Sequence, residues 1–112
     1  MACKPYKPTI LIDLDGVLND YGKEKYYENN IPNIKSGAKE FLKKLHEKNK
    51  YRLVLFTSRN LLIATKWLIE NDIEKYFEDI TNIKIPAILQ IDDRAICFKG
   101  DFLKTLNEIE NF

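Results

Sequence analysis

Much of the usual catalytic and structural equipment is scarce in this chain. Cys3 and Cys97 are the only cysteines in 112 residues. One lies in an N-terminal tail and the other in an apolar run, which excludes a disulfide framework and makes a reducing compartment the default. Neither has a histidine near it in sequence, so a thiol nucleophile has no base to activate it. The single histidine, His46, sits between Leu45 and Glu47 in a charged helical stretch. It is expected to be exposed and is not the general base. Trp67, the one tryptophan, falls on an apolar helical stripe and reads as core. An excess of either charge is also missing: 18 Lys and Arg against 17 Asp and Glu leave a formal net charge of +1. No bulk field therefore points to nucleic acid or to a membrane surface. The lysines between Lys23 and Lys50 are scattered along a solvated helix face. No apolar run reaches spanning length, and the segment Met1 to Pro8 lacks the apolar centre of a signal peptide. The expected location is cytoplasmic. Internal repeats, linkers and low-complexity tracts are absent too.

What remains is 45% hydrophobic and 31% charged, the balance of a folded globular protein. The length suits one domain over residues 1–112, with 1–8 as a tail and 20–36 as a polar flap rich in Asn, Lys and Tyr. Tyr21, Tyr26 and Tyr27 either line an opening there or pack the flap onto the body.

The strongest local signal runs from Thr9 to Asp20. Thr9-Ile10-Leu11-Ile12 is an apolar, β-branched strand that ends in two carboxylates, Asp13 and Asp15, separated by one residue. Alternation along a strand starts both acids on one side, and Gly16 lets the backbone turn away after them. Two like charges this close repel unless a cation or a shared proton relieves them. An acidic turn would look the same over this segment alone, since Asp and Gly are ordinary turn residues.

Downstream the pattern alternates. Ser36 is a candidate N-cap for a helix with Phe41, Leu42 and Leu45 inward, and residues 51–57 form a second buried strand. Asn60 is placed to cap a helix bearing Leu61, Ala64, Trp67 and Leu68. A short strand is expected over 77–81, a stronger one over 87–91, and a further one over 95–98. Gly100-Asp101 opens a last helix with Phe102, Leu103, Leu106 and Ile109 inward. Strands alternating with helices predict a three-layer α/β/α sandwich around a mainly parallel, Rossmann-like sheet. The carboxyl ends of parallel strands share one edge, so Asp13/Asp15, Thr57-Ser58-Arg59, Lys84 and Asp92-Asp93-Arg94 can converge there.

These segments resemble the haloacid-dehalogenase-like (HAD) superfamily, most of whose members are magnesium-dependent phosphatases. Asp13-Leu14-Asp15-Gly16-Val17-Leu18-Asn19-Asp20 is similar to its first motif. Leu53 to Arg59 looks like the second, Lys84 before Pro86 the third, and Ile91-Asp92-Asp93-Arg94 the fourth. The resemblance spans nearly the whole chain in family order, with Lys84-Ile85-Pro86 departing slightly from the common Lys-Pro spelling. It implies that Asp13 is the nucleophile forming an aspartyl-phosphate and Asp15 the general acid and base. It also implies that Thr57 binds a phosphoryl oxygen, with Ser58 competing for that role. Lys84 would neutralise charge, and Asp13, Asp92, Asp93 and the backbone carbonyl of Asp15 would hold Mg²⁺. Arg59 and Arg94 are either helix-start or salt-bridge residues or bidentate grips on substrate phosphate. No segment is long enough for a cap domain, so the resemblance is to a small capless member whose open site a homodimer could shield. A phosphotransferase with the same site, or a non-catalytic module binding a phosphorylated ligand, would carry many of the same residues. A phosphoacceptor signalling domain would place its acidic pair first and its lysine last, and the order here is different.

Overall fold

The computed structural model describes residues 6–21 and 30–112. Cys3, Tyr26, Tyr27 and the middle of the expected flap lie outside the described residues. Four strands, β1 (Thr9–Asp13), β2 (Arg52–Phe56), β3 (Asp79–Thr81) and β4 (Leu89–Ile91), form one sheet in the order β3-β2-β1-β4. Every neighbouring pair is parallel. The two central strands are apolar on both faces, as strands buried from both sides must be.

Ile10 lies beside Leu53 and Ile12 beside Leu55, so these four share one face. They form the core with Ala38 and Leu42 of α1 (Ala38–Glu47) and Ala64, Trp67 and Leu68 of α2 (Leu61–Glu70). Two successive crossovers in the same direction place both helices on that face. Trp67 is core, as the stripe predicts, and each fully buried leucine contributes about 1.5–3 kcal/mol. Asn60 caps α2, its Oδ1 accepting from the amides of Leu62 and Ile63 at 2.9 and 3.2 Å. α1 starts differently. Gly37, at φ 88°, precedes its first turn and no side chain caps it, so Ser36 is not the cap. Leu42 and Leu45 face the core, whereas Phe41 is largely exposed.

After β3 the chain reverses and crosses beneath β2 and β1 to reach β4. Residues 82–88 make this passage without a helix, since most of their reach goes into covering three strand spacings of roughly 14 Å. Lys84, Ile85, Ala87 and Ile88 surround Leu11, which points away from Ile10 and Ile12. A strip of coil therefore covers this second face.

Two expectations fail beyond β4. Ala95 to Phe98 forms no strand, because no neighbouring strand offers it hydrogen bonds. α3 (Phe102–Glu110) forms where expected, with Asp101 Oδ1 accepting from the Lys104 amide at 3.1 Å. None of its residues is buried, so Phe102, Leu103, Leu106 and Ile109 do not face inward. Helical spacing reports an apolar stripe but not what covers it. Among the described residues no helix is long and apolar enough to cross a membrane.

Candidate functional site

The strand order reverses at β1, with β2 reached on one side and β4 on the other. The crevice at the carboxyl ends of two such strands is the usual ligand position in open α/β sheets. Asp13 is the last residue of β1, and Asp92 and Asp93 follow β4 directly. Each of these three acids offers a carboxylate oxygen, and the three oxygens lie within 4.8 Å of one another. They line an open cleft of about 210 Å³ together with Asp15, Tyr21, Ser58 and Arg94. Burial pushes the Asp13 carboxyl up to about 7, and the negative charges of Asp92, Asp93 and Asp15 add to the effect. A hydrogen bond from the Leu14 backbone opposes the shift only in part. All-oxygen donors of this charge fit a hard divalent cation, which would relieve their repulsion.

Gly16 is what allows the two acidic loops to meet. Its φ is 84°, and a Cβ built on it would collide with the Asp93 carboxylate. Gly16→Ala should therefore cost about 1–2 kcal/mol in backbone strain and also displace the Asp93 carboxylate. Gly37→Ala is the matched control, having φ 88° but no atom near its Cβ position. Thermal melts should register both substitutions. Calorimetric Mn²⁺ titration should show weakened binding for Gly16→Ala alone, and equal affinities would sink this role for Gly16.

Asn19 organises the loop after Gly16. Fully buried, it accepts at Oδ1 from the amides of Gly16 and Tyr21 at 3.1 and 3.0 Å. Its Nδ2 donates to Asp15 Oδ1 at 3.0 Å. The returning flap is anchored against the same loop by an antiparallel bridge between Asn19 and Ile34. In the sequence only its position three residues after a turning glycine signals this task for Asn19.

Arg59 is the larger surprise. Its side chain is 0% exposed, and it grips Asp15 with both arms, Nε to Oδ2 at 2.8 Å and Nη2 to Oδ1 at 3.0 Å. Its expected alternatives included a grip on substrate phosphate. The geometry turns it inward as a salt-bridge residue instead. Thr57 is buried and absent from the cleft lining, and its Oγ1 accepts from the Arg59 amide at 3.1 Å. Ser58, the competing hydroxyl, lines the cleft. Lys84 is not brought to the acids. It lies exposed beside Leu11 in a separate cavity, because the 82–88 crossover has left the strand ends by that point. At the rim, the Arg94 guanidinium stacks 5.1 Å from the Tyr21 ring centre, and the Arg94 amide donates to Asp92 Oδ1 at 2.8 Å. His46 is exposed and packs edge-on against Tyr76, away from this chemistry.

No protein-family model matches the chain, and no curated protein matches it. A solved structure from Bacteroides thetaiotaomicron, described as that of a conserved protein, is similar at a TM-score of 0.60. It is 24% identical in sequence, over 95% of this chain and 92% of that one. The likeness supports the α/β fold with its parallel sheet. No activity passes with it.

Proposed function

We propose that this chain is a Mg²⁺-dependent phosphomonoesterase, a capless HAD-like enzyme acting in the cytoplasm. The observation that carries the reading is the Asp13, Asp92 and Asp93 triad at the strand-order reversal, with Asp15 on the wall of the same cleft. Asp13, Asp92 and Asp93 would hold the cation by their carboxylates, and Asp15 by its backbone carbonyl. The ion supplies positive charge that lets an anionic nucleophile meet an anionic ester.

Asp13 attacks phosphorus as the ester P–O bond breaks, and the leaving oxygen takes a proton from Asp15. Asp15 then accepts a proton from water as that water's oxygen attacks phosphorus, and the bond to Asp13 breaks to release phosphate. Among the described residues, two donors reach Asp15 Oδ1 and one reaches Oδ2. The second lone pair of Oδ2 is the position for the transferred proton. Ser58 is the hydroxyl best sited for a phosphoryl oxygen, with Thr57 behind it. The cleft suits a phosphoryl end group more than an enclosed whole ligand, which keeps the substrate class broad.

A non-catalytic phospho-ligand module is the second reading. Lys84 lying off the cleft and Asp15 being paired with Arg59 both favour it. Phosphate release from p-nitrophenyl phosphate and a panel of phosphomonoesters, with Mg²⁺ and with EDTA, separates the two. Metal-dependent turnover is expected. Tight Mg²⁺-dependent binding of phosphomonoesters without turnover would establish the module instead.

A further inference from the structure

We infer that α3 is an exchange arm that docks on the 82–88 coil over the second sheet face of another copy of this chain. The helix carries an apolar stripe that stays largely exposed: Phe102 is 80% exposed, Leu103 79%, Leu106 53% and Ile109 58%. Phe98 extends the stripe by stacking on Phe102 at 4.9 Å between ring centres. The same chain has a second exposed apolar surface. Among the described residues one sheet face is packed by α1 and α2 and the other by the 82–88 coil, beneath which Leu11 and Val54 are buried and on which Ile83 and Ile88 stay exposed. A helix with no layer beneath it and a coil with no layer above it are complementary halves of one contact.

The geometry points to a second copy as the occupant. The segment after β4, residues 92–101, has no regular structure, and no residue of α3 is buried against its own body. The Cα radius of gyration is 15.6 Å and the longest extent 50 Å, where a closed chain of this length would have a radius of about 13 Å. Reciprocal exchange across a two-fold axis covers both helices and both faces at once, the usual route to a swapped dimer. The stripe presents roughly 500 Å² of apolar surface, so two helices and two receiving faces bury on the order of 2,000 Å², enough for a stable dimer. The arm lies outside the cleft, so the inference stands apart from the proposed activity.

Cysteine pairing tests it directly. The variant carries Ile88→Cys and Leu106→Cys, with Cys3→Ser and Cys97→Ser to remove the native thiols. Mild oxidation should yield a dimer on a non-reducing gel that dithiothreitol reverses. Wild type should run as a dimer by light scattering across the micromolar range, and Leu103→Glu/Leu106→Glu as a monomer with its other helices intact by circular dichroism. Three results would overturn the inference. The first is an oxidised species that stays monomeric with its thiols consumed, because α3 then packs on its own chain. The second is a failure of the pair to cross-link. The third is a wild type that remains monomeric throughout.

Discussion

Arg59→Ala is expected to destabilise the fold by about 3–5 kcal/mol, a large share of the 5–15 kcal/mol that holds a domain this size. The cause is what it leaves behind. Arg59 is wholly enclosed, and its partner Asp15 has a side chain only 17% exposed. Deleting the guanidinium strands a carboxylate that already borders the negative triad and opens a void where the side chain was. Arg59→Lys should cost less, since it restores a charge but not two parallel bonds. Urea unfolding of the three proteins at neutral pH measures this. A loss below about 1 kcal/mol for Arg59→Ala would mean that water reaches Asp15 freely and that the pair is not sealed.

Asp13→Asn should have the second large effect, and its two parts run in opposite directions. Turnover of any phosphomonoester should fall by at least about 10³-fold, because an amide cannot attack phosphorus or leave as a carboxylate. Metal-free stability should rise. The Asp13 carboxyl sits at about 7 in the fold against an ordinary 3.8. Below about pH 4 both folded and unfolded chains keep the proton, and the site costs nothing. Between about 4 and 7 the unfolded chain releases it first, so rising pH favours unfolding, and above 7 the cost is complete. Solvent screening at this half-buried position reduces that cost to about 1–2 kcal/mol. In EDTA the two proteins should therefore melt together near pH 4, with Asp13→Asn the more stable at pH 8. Millimolar Mg²⁺ at pH 8 should reverse the order, because the cation stabilises only the fold that binds it. An unchanged order in Mg²⁺ would remove Asp13 from the cation site.

The sheet and its two packed helices were legible because periodicity and burial agree there. Ile10, Ile12, Leu53 and Leu55 sit on one face at a spacing of two, and Ala64, Trp67 and Leu68 repeat at helical spacing opposite them. Asn60 was readable as a cap because its side chain needs only local amides. The convergence of Asp13 with Asp92 and Asp93 followed from parallel pairing, since strand ends share an edge. The partner of Arg59 was not readable. A long cationic side chain after a strand can turn outward to a ligand or inward to a carboxylate, and nothing local decides between them. Lys84 lines a cavity away from the acidic cleft for a topological reason: proximity to the strand end in sequence does not show how quickly the crossover must leave that edge to reach β4. Ser36 lost the α1 cap to the left-handed turn at Gly37, a backbone choice that the favourable cap residue beside it concealed. The stripe on α3 is legible in the sequence but its exposure is not, because amphipathicity records a preference for cover without naming the source.

The pairing of β4 with β1 has a consequence for synthesis. β1 meets its partner β4 only after α1, β2, α2 and β3 have followed it from the ribosome. Until then β1 has one open edge, and Asp13 waits without Asp92 or Asp93. β1, β2 and their helices can condense early, while the acidic triad comes together only once β4 has emerged. A nascent chain stalled before Leu89 would thus hold most of the core, no triad, and an apolar strand edge for chaperones or aggregation to find.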